Sequence, residues 1–155
     1  MVIRGRQILP GGNAPGAAIL TPPELFRKLD EEFHFDGGPG LPFDPCPYPR
    51  PDGFDGTVVP WGRASYVNPP FGKPGFTKWV RKALAERDRG NTVVLTMPVY
   101  GWIARLLEAR VETRVRRDWW WETPDGERRK PSQPLVVWVV RPKPDVSGKG
   151  GGSPP

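Results

Sequence analysis

Three segments of the chain repeat apolar residues at intervals of three and four, the period of an amphipathic helix. The first segment begins with a predicted N-cap at Thr21, followed by Pro22 at the first helical position and by Glu24 as the partner of a capping box. The helices are predicted at residues 22–33, 75–90 and 102–110. The side chains expected on their buried faces are Leu25, Phe26, Leu29 and Phe33, then Phe76, Trp79, Val80, Ala83 and Leu84, then Ile103, Leu106 and Leu107.

Strands are predicted at residues 64–67 and 92–97, between these helices, and at residues 111–121 and 135–140, after the last of them. A strand, a helix and a strand in succession imply a right-handed crossover and a parallel pair. The last two strands are joined by the polar residues 122–130, where Asp125-Gly126 signals a turn, so we expect an antiparallel hairpin with a charged tip. The pattern therefore predicts a compact α/β fold, with a mixed sheet whose parallel core ends in that hairpin.

Glycine and proline mark the segments that are not expected to pack. Residues 1–17 are predicted to be a flexible N-terminal segment, residues 18–142 a single domain, and residues 143–155 a flexible basic tail rich in Gly and Pro. Residues 37–62 form a long irregular loop inside that domain. Loops of this length are uncommon in compact domains unless they bind something, so this loop is a candidate binding segment.

Charge and cysteine content narrow the classes of function. The chain of 155 residues carries a net charge of +6 with a sequence pI near 9.8, which favours a polyanionic partner. A lone Cys46 and a lone His34 make a zinc site or an internal disulfide improbable, and predict a reducing cytoplasm without metal chemistry. No apolar stretch is long enough to span a bilayer, so no membrane partner is expected.

The tetrapeptide Asn68-Pro69-Pro70-Phe71 directly follows the predicted strand at residues 64–67. The side-chain oxygen of Asn68 and the carbonyl oxygen of Pro69 can accept both hydrogens of a planar amino group and so localise its lone pair. The prolines fix the backbone and remove competing N–H donors, and Phe71 offers a face on which an extruded base can stack. The pattern predicts methyl transfer to an exocyclic amine such as adenine N6. The alternative is that it is only a turn.

Further motifs follow one another in order along most of the predicted domain. They are Thr21-Pro22-Pro23-Glu24-Leu25-Phe26, Phe43-Asp44-Pro45-Cys46, Asp55-Gly56 before Trp61, the Asn68 motif with Trp79 and Lys82, the strand ending at Pro98 with Trp102 beyond it, and Pro131-Ser132-Gln133-Pro134. In this order they resemble the phage and prophage DNA N6-adenine methyltransferases of the Dam type. The resemblance implies a Rossmann-like methyltransferase fold, S-adenosyl-L-methionine as cofactor, DNA as partner and N6-methyladenine as product.

By this resemblance, Thr21 and Pro22 meet the amino-acid end of the cofactor, because a helix start favours a carboxylate. Asp44 and Pro45 would contact its amino or ribose groups, and Asp55 would accept from its adenine or ribose. Without the resemblance, the same residues are a helix cap and turn residues.

The chain departs from the methyltransferase pattern just after Asp44. Methyltransferases usually have a Gly-x-Gly turn there, whereas this chain has Pro45-Cys46-Pro47-Tyr48-Pro49. Proline lacks the N–H group and the conformational freedom of glycine, so the cofactor grip is expected to be reduced or rebuilt. Asp52-Gly53 has the same local pattern as Asp55-Gly56, and the choice between Asp52 and Asp55 stays open.

Basic and aromatic residues supply candidate contacts with DNA. In Trp119-Trp120-Trp121, alternation along a strand exposes at least one indole, which can stack on a base or guard the DNA groove, while another packs on the sheet. The basic residues at the hairpin tip are candidate phosphate contacts, with a solvated turn as the alternative. The candidate residues are Lys73, Arg116, Arg117, Trp120, Arg128, Arg129 and Lys130.

The sequence thus predicts a minimal methyltransferase that flips adenine out of DNA and uses Asn68, Pro69, Pro70 and Phe71 to hold it. With no separate recognition domain, its sequence specificity is expected to be weak or short, or to come from a homodimer or a partner subunit. The expected location is the cytoplasm of a bacterial or phage-infected cell. The alternatives are methylation of RNA adenine or protein glutamine, and a catalytically inactive DNA-binding or partner subunit.

Overall fold

The computed structural model describes residues 6–8, 18–36, 44–47, 50–69, 75–98, 103–123, 125–129 and 135–144. The helices in these ranges are α1 (Pro23–Phe33), α2 (Gly75–Asp88) and α3 (Ala104–Glu108). The strands are β1 (Arg6–Ile8), β2 (Ala18–Leu20), β3 (Ala64–Val67), β4 (Thr92–Pro98), β5 (Glu112–Arg116), β6 (Trp121–Glu122), β7 (Arg128–Arg129) and β8 (Leu135–Val140).

The main sheet has four strands in the order β3-β4-β8-β5. Strands β3 and β4 are parallel, whereas β8 is antiparallel to both β4 and β5. The prediction of an α/β protein with a mixed sheet is confirmed, although the parallel core in the described part of the chain is a single pair. Because β8 reverses the direction twice, β5 runs the same way as β3 and β4. The carboxyl ends of these three strands therefore lie along one edge of the sheet.

Helices cover both faces of this sheet. On one face, Leu25, Phe26 and Leu29 of α1 pack with Tyr66 and Val94, as their helical spacing predicts. On the other face, α2 and α3 pack against the remaining strand residues. That second cluster comprises Cys46, Trp61, Val67, Phe76, Trp79, Val80, Ala83, Val93, Leu95, Met97, Leu106, Val136, Trp138 and Val140. Burying each large aliphatic or aromatic side chain contributes roughly 1.5–3 kcal/mol, so the two clusters dominate the stability of the fold.

The prediction of one long strand over residues 111–121 is wrong. Strand β5 ends at Arg116, and the chain resumes as β6 only at Trp121. Strand β6 pairs with β2 and β7 in a second sheet of order β1-β2-β6-β7. The expected charged tip is a short hairpin of its own, closed by the N–H of Gly126, which donates to the carbonyl oxygen of Thr123 at 2.9 Å. Strand β1 was not predicted, since it lies in the segment expected to be flexible.

The helix ends follow the sequence signals in part. Helix α2 ends at Asp88, and Gly90 takes the left-handed conformation with φ of +93° that glycine adopts without strain, so the predicted stop is confirmed. In α3, Leu106 is fully buried, but Leu107 is 55% exposed and its predicted inward position is wrong. Helix α3 has only five residues, and one turn presents a narrower face to the core than the predicted segment would.

Candidate functional site at the carboxyl edge of the sheet

The carboxyl edge of the main sheet collects several of the predicted site residues. Asn68 and Pro69 follow β3 directly and are buried. Pro98 ends β4, and its register partner Leu135 also pairs with Arg116, which ends β5. The main sheet therefore carries the Asn68 motif and Arg116 on the same edge, with β4 and β8 between them.

A chain of buried hydroxyl groups lies beside Asn68. The hydroxyl oxygen of Tyr66 is 2.5 Å from Oγ1 of Thr21 and 2.6 Å from Oγ1 of Thr96. These residues come from β3, from the residues just before α1 and from β4. Burial, the largest influence, raises the pKa of Tyr66 above its ordinary value. At neutral pH Tyr66 is therefore a neutral hydroxyl that joins three parts of the chain.

Thr21 does not cap the helix, so its predicted N-cap role is wrong. Helix α1 begins at Pro23, its N-cap is Pro22, and no side chain bonds to the cap position. The hydroxyl of Thr21 is fully buried and bonds to Tyr66 instead. Glu24 is exposed and lies 3.7 Å from Arg128, an ion pair, rather than closing a capping box. Thr21 and Pro22 still lie at the predicted helix start, next to the carboxyl edge.

Asp44 is buried, and one of its two carboxyl oxygens has no hydrogen-bond partner among the described residues. Its Oδ1 accepts the backbone N–H of Cys46 at 2.7 Å, while its buried Oδ2 has no hydrogen-bond partner within the described residues. Burial raises the pKa of Asp44 to about 7, against the smaller opposing influence of the Cys46 N–H. The charge of Asp44 also contributes to the raised pKa of Tyr66, so this carboxyl interacts electrostatically with the chain of hydroxyls. A buried carboxyl oxygen without a partner suits a ligand that brings a donor or a cation.

The resemblance implies a strand that ends at Asp44; its residues before Asp44 lie outside the described residues, and the chain bends at Pro45 and Cys46. Another segment supports this bend. A Cβ atom built on Gly56 would overlap the carbonyl oxygen of Pro45, so only glycine allows the two segments to approach so closely. The indole N–H of Trp61 donates to the carbonyl oxygen of Gly56 at 2.7 Å and anchors the loop to the core. The loop therefore brings Asp55-Gly56 against Asp44-Pro45, as two of the predicted cofactor segments require.

Asp55 itself is occupied by contacts within the chain. Its Oδ1 accepts from the backbone N–H and the hydroxyl of Thr57, and its Oδ2 lies 2.7 Å from Nζ of Lys78. The Lys78 bond, followed by the Thr57 bonds, lowers the pKa of Asp55 to about 2. Asp52 is exposed. The predicted part of Asp55 in cofactor binding remains a prediction.

The aromatic and basic candidates divide by exposure. Trp120 is 43% exposed, whereas Trp121 is 4% exposed and packs with α1, so the expected split between the indoles is confirmed. Arg117 and Arg128 are exposed, and Arg116 is half-buried. The side chains of Pro70, Phe71, Lys73, Arg129 and Lys130 lie outside the described residues.

The residues that sequence analysis missed are Tyr66 and Thr96. Both carried a signal: Tyr66 stands two positions before Asn68, and strand alternation places them on one face, whereas Thr96 is a polar residue inside the buried run of β4. An open groove of 480 Å³ lies elsewhere, at the opposite edge of the sheet, and shares no residue with this site. Its lining residues are Arg87, Asp88, Arg89, Gly90, Pro142 and Lys143.

No family model matches the chain, and neither a curated protein nor a solved structure does. The proposed function therefore rests on the arrangement of residues at the carboxyl edge of the main sheet. Within the described ranges, no three His, Cys, Asp or Glu side chains are grouped as metal ligands. In the same ranges, no helix has the length and apolarity needed to cross a bilayer.

Proposed function

We propose that the chain is an S-adenosyl-L-methionine-dependent methyltransferase that methylates adenine N6 in DNA, on a Rossmann-like domain reduced to its central elements. The observation that carries the proposal is the position of Asn68-Pro69. These residues leave β3 at the edge where the carboxyl ends of parallel strands meet, beside the start of α1. Ligands in open α/β sheets bind outside the carboxyl ends of the strands, which favours this edge as the reaction site.

The residues near this edge fit the polar groups of the cofactor. Asp44 offers a buried Oδ2 that no described residue occupies, suited to an ammonium group or a ribose hydroxyl. The start of α1 suits a carboxylate, since its first N–H groups have no partner within the helix. Pro22 and Pro23 carry no N–H group, which leaves those of Glu24 and Leu25 as the donors. When bound, the cofactor would supply a methyl group on a cationic sulfur.

On the substrate side, the side-chain oxygen of Asn68 and the carbonyl oxygen of Pro69 are the acceptors for the two amino hydrogens of adenine. Accepting both hydrogens localises the nitrogen lone pair and aims it out of the ring plane. The site would act by orienting the amine against the methyl group and by excluding water. Stronger activation is not required, because the methyl carbon under attack already carries a good leaving group. Tyr66 stays neutral at ordinary pH and therefore does not serve as a base.

Nucleic acid is favoured over a protein amide by the charge of the chain and by what surrounds the site. The net charge is +6. Arg116 ends β5 on the same edge as Asn68, and Arg128 approaches the first turn of α1 through Glu24. Exposed Trp120 stands between β5 and β6 and offers a stacking face. Arginines suited to phosphate contacts and an indole suited to stacking on a base thus lie around the carboxyl edge of the main sheet.

A second candidate is a DNA-binding or partner subunit that has lost the reaction. It is favoured by the bend at residues 44–47, where methyltransferases usually have a glycine turn. The two candidates predict the same basic surface, and they differ in whether the cofactor binds.

The deciding experiment is transfer of a labelled methyl group from S-adenosyl-L-methionine to unmethylated DNA, followed by nucleoside analysis of the product. The proposal expects N6-methyladenine in DNA, with less in RNA and none in protein glutamine. DNA binding without cofactor binding in calorimetry would replace the proposal with the second candidate.

A further inference from the structure

The three hydroxyls of Thr21, Tyr66 and Thr96 form a continuous chain across elements that are distant in sequence. Thr21 and Tyr66 are 45 positions apart, and Tyr66 and Thr96 are 30 apart. Thr21 and Thr96 are fully buried, and Tyr66 is nearly so. Without these bonds, each hydroxyl would be buried with no access to water, which costs stability. The bonds therefore hold the start of α1, strand β3 and strand β4 in one arrangement.

The ring of Tyr66 is held in place by other aromatic side chains. Phe26 of α1 meets it edge-on with ring centroids 5.2 Å apart, and Phe35 lies at 5.6 Å. Because these contacts hold the ring, they also fix the position of the hydroxyl oxygen attached to it. Its bond to Thr96 then determines where Thr21 can lie, because Thr21 bonds to the same oxygen.

We propose that Tyr66 is a positioning residue, whose hydroxyl transmits the position of β4 through Thr96 to the helix start at Thr21 and to Asn68. The inference rests on the proposed function for its relevance to the reaction, because Thr21 stands at the proposed cofactor end and Asn68 at the proposed base end. Tyr66 itself touches neither reacting group in this account. The chain of hydroxyls sets the spacing between the two ends, and a methyl transfer depends on that spacing.

Thr96 gives the inference its sharpest test, because its hydroxyl bonds to Tyr66 and belongs to β4 rather than to the helix start. Thr96→Val keeps the shape of the side chain and removes the hydroxyl, whereas Thr96→Ser keeps the hydroxyl. Ser65→Ala is the matched control: it removes a buried hydroxyl from the neighbouring position of β3, which strand alternation turns to the opposite face.

The first measurement requires no ligand. Amide chemical shifts of the variants are compared with those of the parent chain at Glu24, Leu25 and the Asn68 side chain. We expect Thr96→Val to move all three signals, while Thr96→Ser and Ser65→Ala leave them nearly unchanged. Shifts confined to β4 and to its neighbours on and just after β3, including Asn68, with none at Glu24 and Leu25, would overturn the inference. If Thr96→Val does not fold, Thr21→Val enters the same chain from its other end, with the Thr96 amide and the Asn68 side chain as readouts.

The second measurement is the Kd for S-adenosyl-L-methionine by calorimetry, at a temperature where every variant is folded. We expect Thr96→Val to weaken binding about three- to tenfold, the range for one neutral hydrogen bond, and Thr96→Ser to restore it. Equal affinity in Thr96→Val and the parent would remove the link to the cofactor end. A parent chain that binds no cofactor would count against the proposed function alone, since the amide shifts still decide whether Tyr66 positions α1.

Discussion

The backbone N–H of Cys46 donates to Oδ1 of Asp44 at 2.7 Å, and it is the one hydrogen bond to that buried carboxyl among the described residues. One neutral donor compensates poorly for burying a charge, which is why the pKa of Asp44 rises to about 7. An aspartate in the unfolded chain ionises near pH 4. Between those values, the folded chain holds a proton that the unfolded chain has released.

This proton makes the contribution of Asp44 to stability fall as the pH rises. The contribution is complete below about pH 4 and is lost by the time the pH passes about 7, roughly 4 kcal/mol at about 1.4 kcal/mol per unit. The measurement is the free energy of unfolding against pH for the parent and for Asp44→Asn, which keeps the shape and cannot titrate. The parent should lose stability relative to Asp44→Asn across this window. A difference that stays constant with pH would mean that Asp44 ionises at the same pH in the folded and the unfolded chain.

Asn68→Ala tests the catalytic assignment. The change removes the oxygen proposed to accept from the adenine amino group, so methyl transfer should fall by about 100-fold or more, by analogy with loss of one preorganised polar group from an active site. Cofactor affinity should stay within about twofold, because Asp44 and the start of α1 are unchanged. Initial rates and calorimetry on the same preparation measure the two quantities. The control is Ser65→Ala, which changes a buried polar residue of the preceding strand β3 and should leave the rate of methyl transfer unchanged. An unchanged rate in Asn68→Ala would remove Asn68 from the reaction.

Adjacent tryptophans should separate binding from stability. Trp121 is 4% exposed, so Trp121→Ala should cost about 3–5 kcal/mol of unfolding free energy. Trp120 is 43% exposed, so Trp120→Ala should change stability by less than about 0.5 kcal/mol. If Trp120 stacks on a base, the same variant should lose about 1–3 kcal/mol of affinity for single-stranded DNA. Denaturation and fluorescence titration measure the two effects. Unchanged DNA affinity in Trp120→Ala would leave this indole without a part in binding.

Arg128 should contribute to DNA binding through phosphate alone. Its side chain is 70% exposed, and its ion pair with Glu24 at 3.7 Å is weak. Arg128→Ala should weaken binding to all sequences alike and lower the slope of log K against log salt concentration by about 1. Arg105→Ala, an exposed arginine on α3, is the matched control and should leave the slope unchanged. Equal slopes for both variants and the parent would contradict the proposed phosphate contact.

Glu86 should stabilise α2 far more than an exposed glutamate does. Its side chain is 1% exposed, accepts from Nζ of Lys82 at 2.5 Å and from the side-chain amide of Asn91 at 2.8 Å. Glu86→Ala would leave a largely buried ammonium without its partner, so we expect a loss of about 2–4 kcal/mol. Glu31→Ala breaks an exposed pair at the same helical spacing, Arg27–Glu31, and should cost about 0.3–0.5 kcal/mol. Chemical denaturation measures both, and similar losses would show that burial does not strengthen the pair.

Local signals in the sequence located most of the elements that flank the site. Residues 22–33 were expected as a helix, and α1 covers Pro23–Phe33. The predicted strands at residues 64–67 and 92–97 are β3 and β4, and their parallel pairing followed from the helix between them. These segments have strong periodicity, and their apolar faces are what the core buries.

The failures have a common physical origin. The sequence predicts one strand at residues 111–121, but Val115 and Trp120 are exposed and the strand is interrupted between Arg116 and Trp121. Strands β6 and β7 have two residues each, and β6 pairs with both β7 and the distant β2, which no local pattern can indicate. Thr21 is a residue type that is favoured at N-caps, yet its hydroxyl bonds to that of Tyr66, 45 positions away.

By itself, the sequence determined the alternation of helices and strands, the positions of α1, α2, β3 and β4, and the place of Asn68 at a strand end. These depend on periodicity, on turn residues and on the geometry of a single crossover, all of which are local. Only the tertiary structure decided that Thr21, Tyr66 and Thr96 share one chain of hydroxyls and that Asp44 is buried with an oxygen that no described residue bonds. Burial and hydrogen bonding between distant segments depend on which surfaces meet after packing, and that information is distributed over the whole chain.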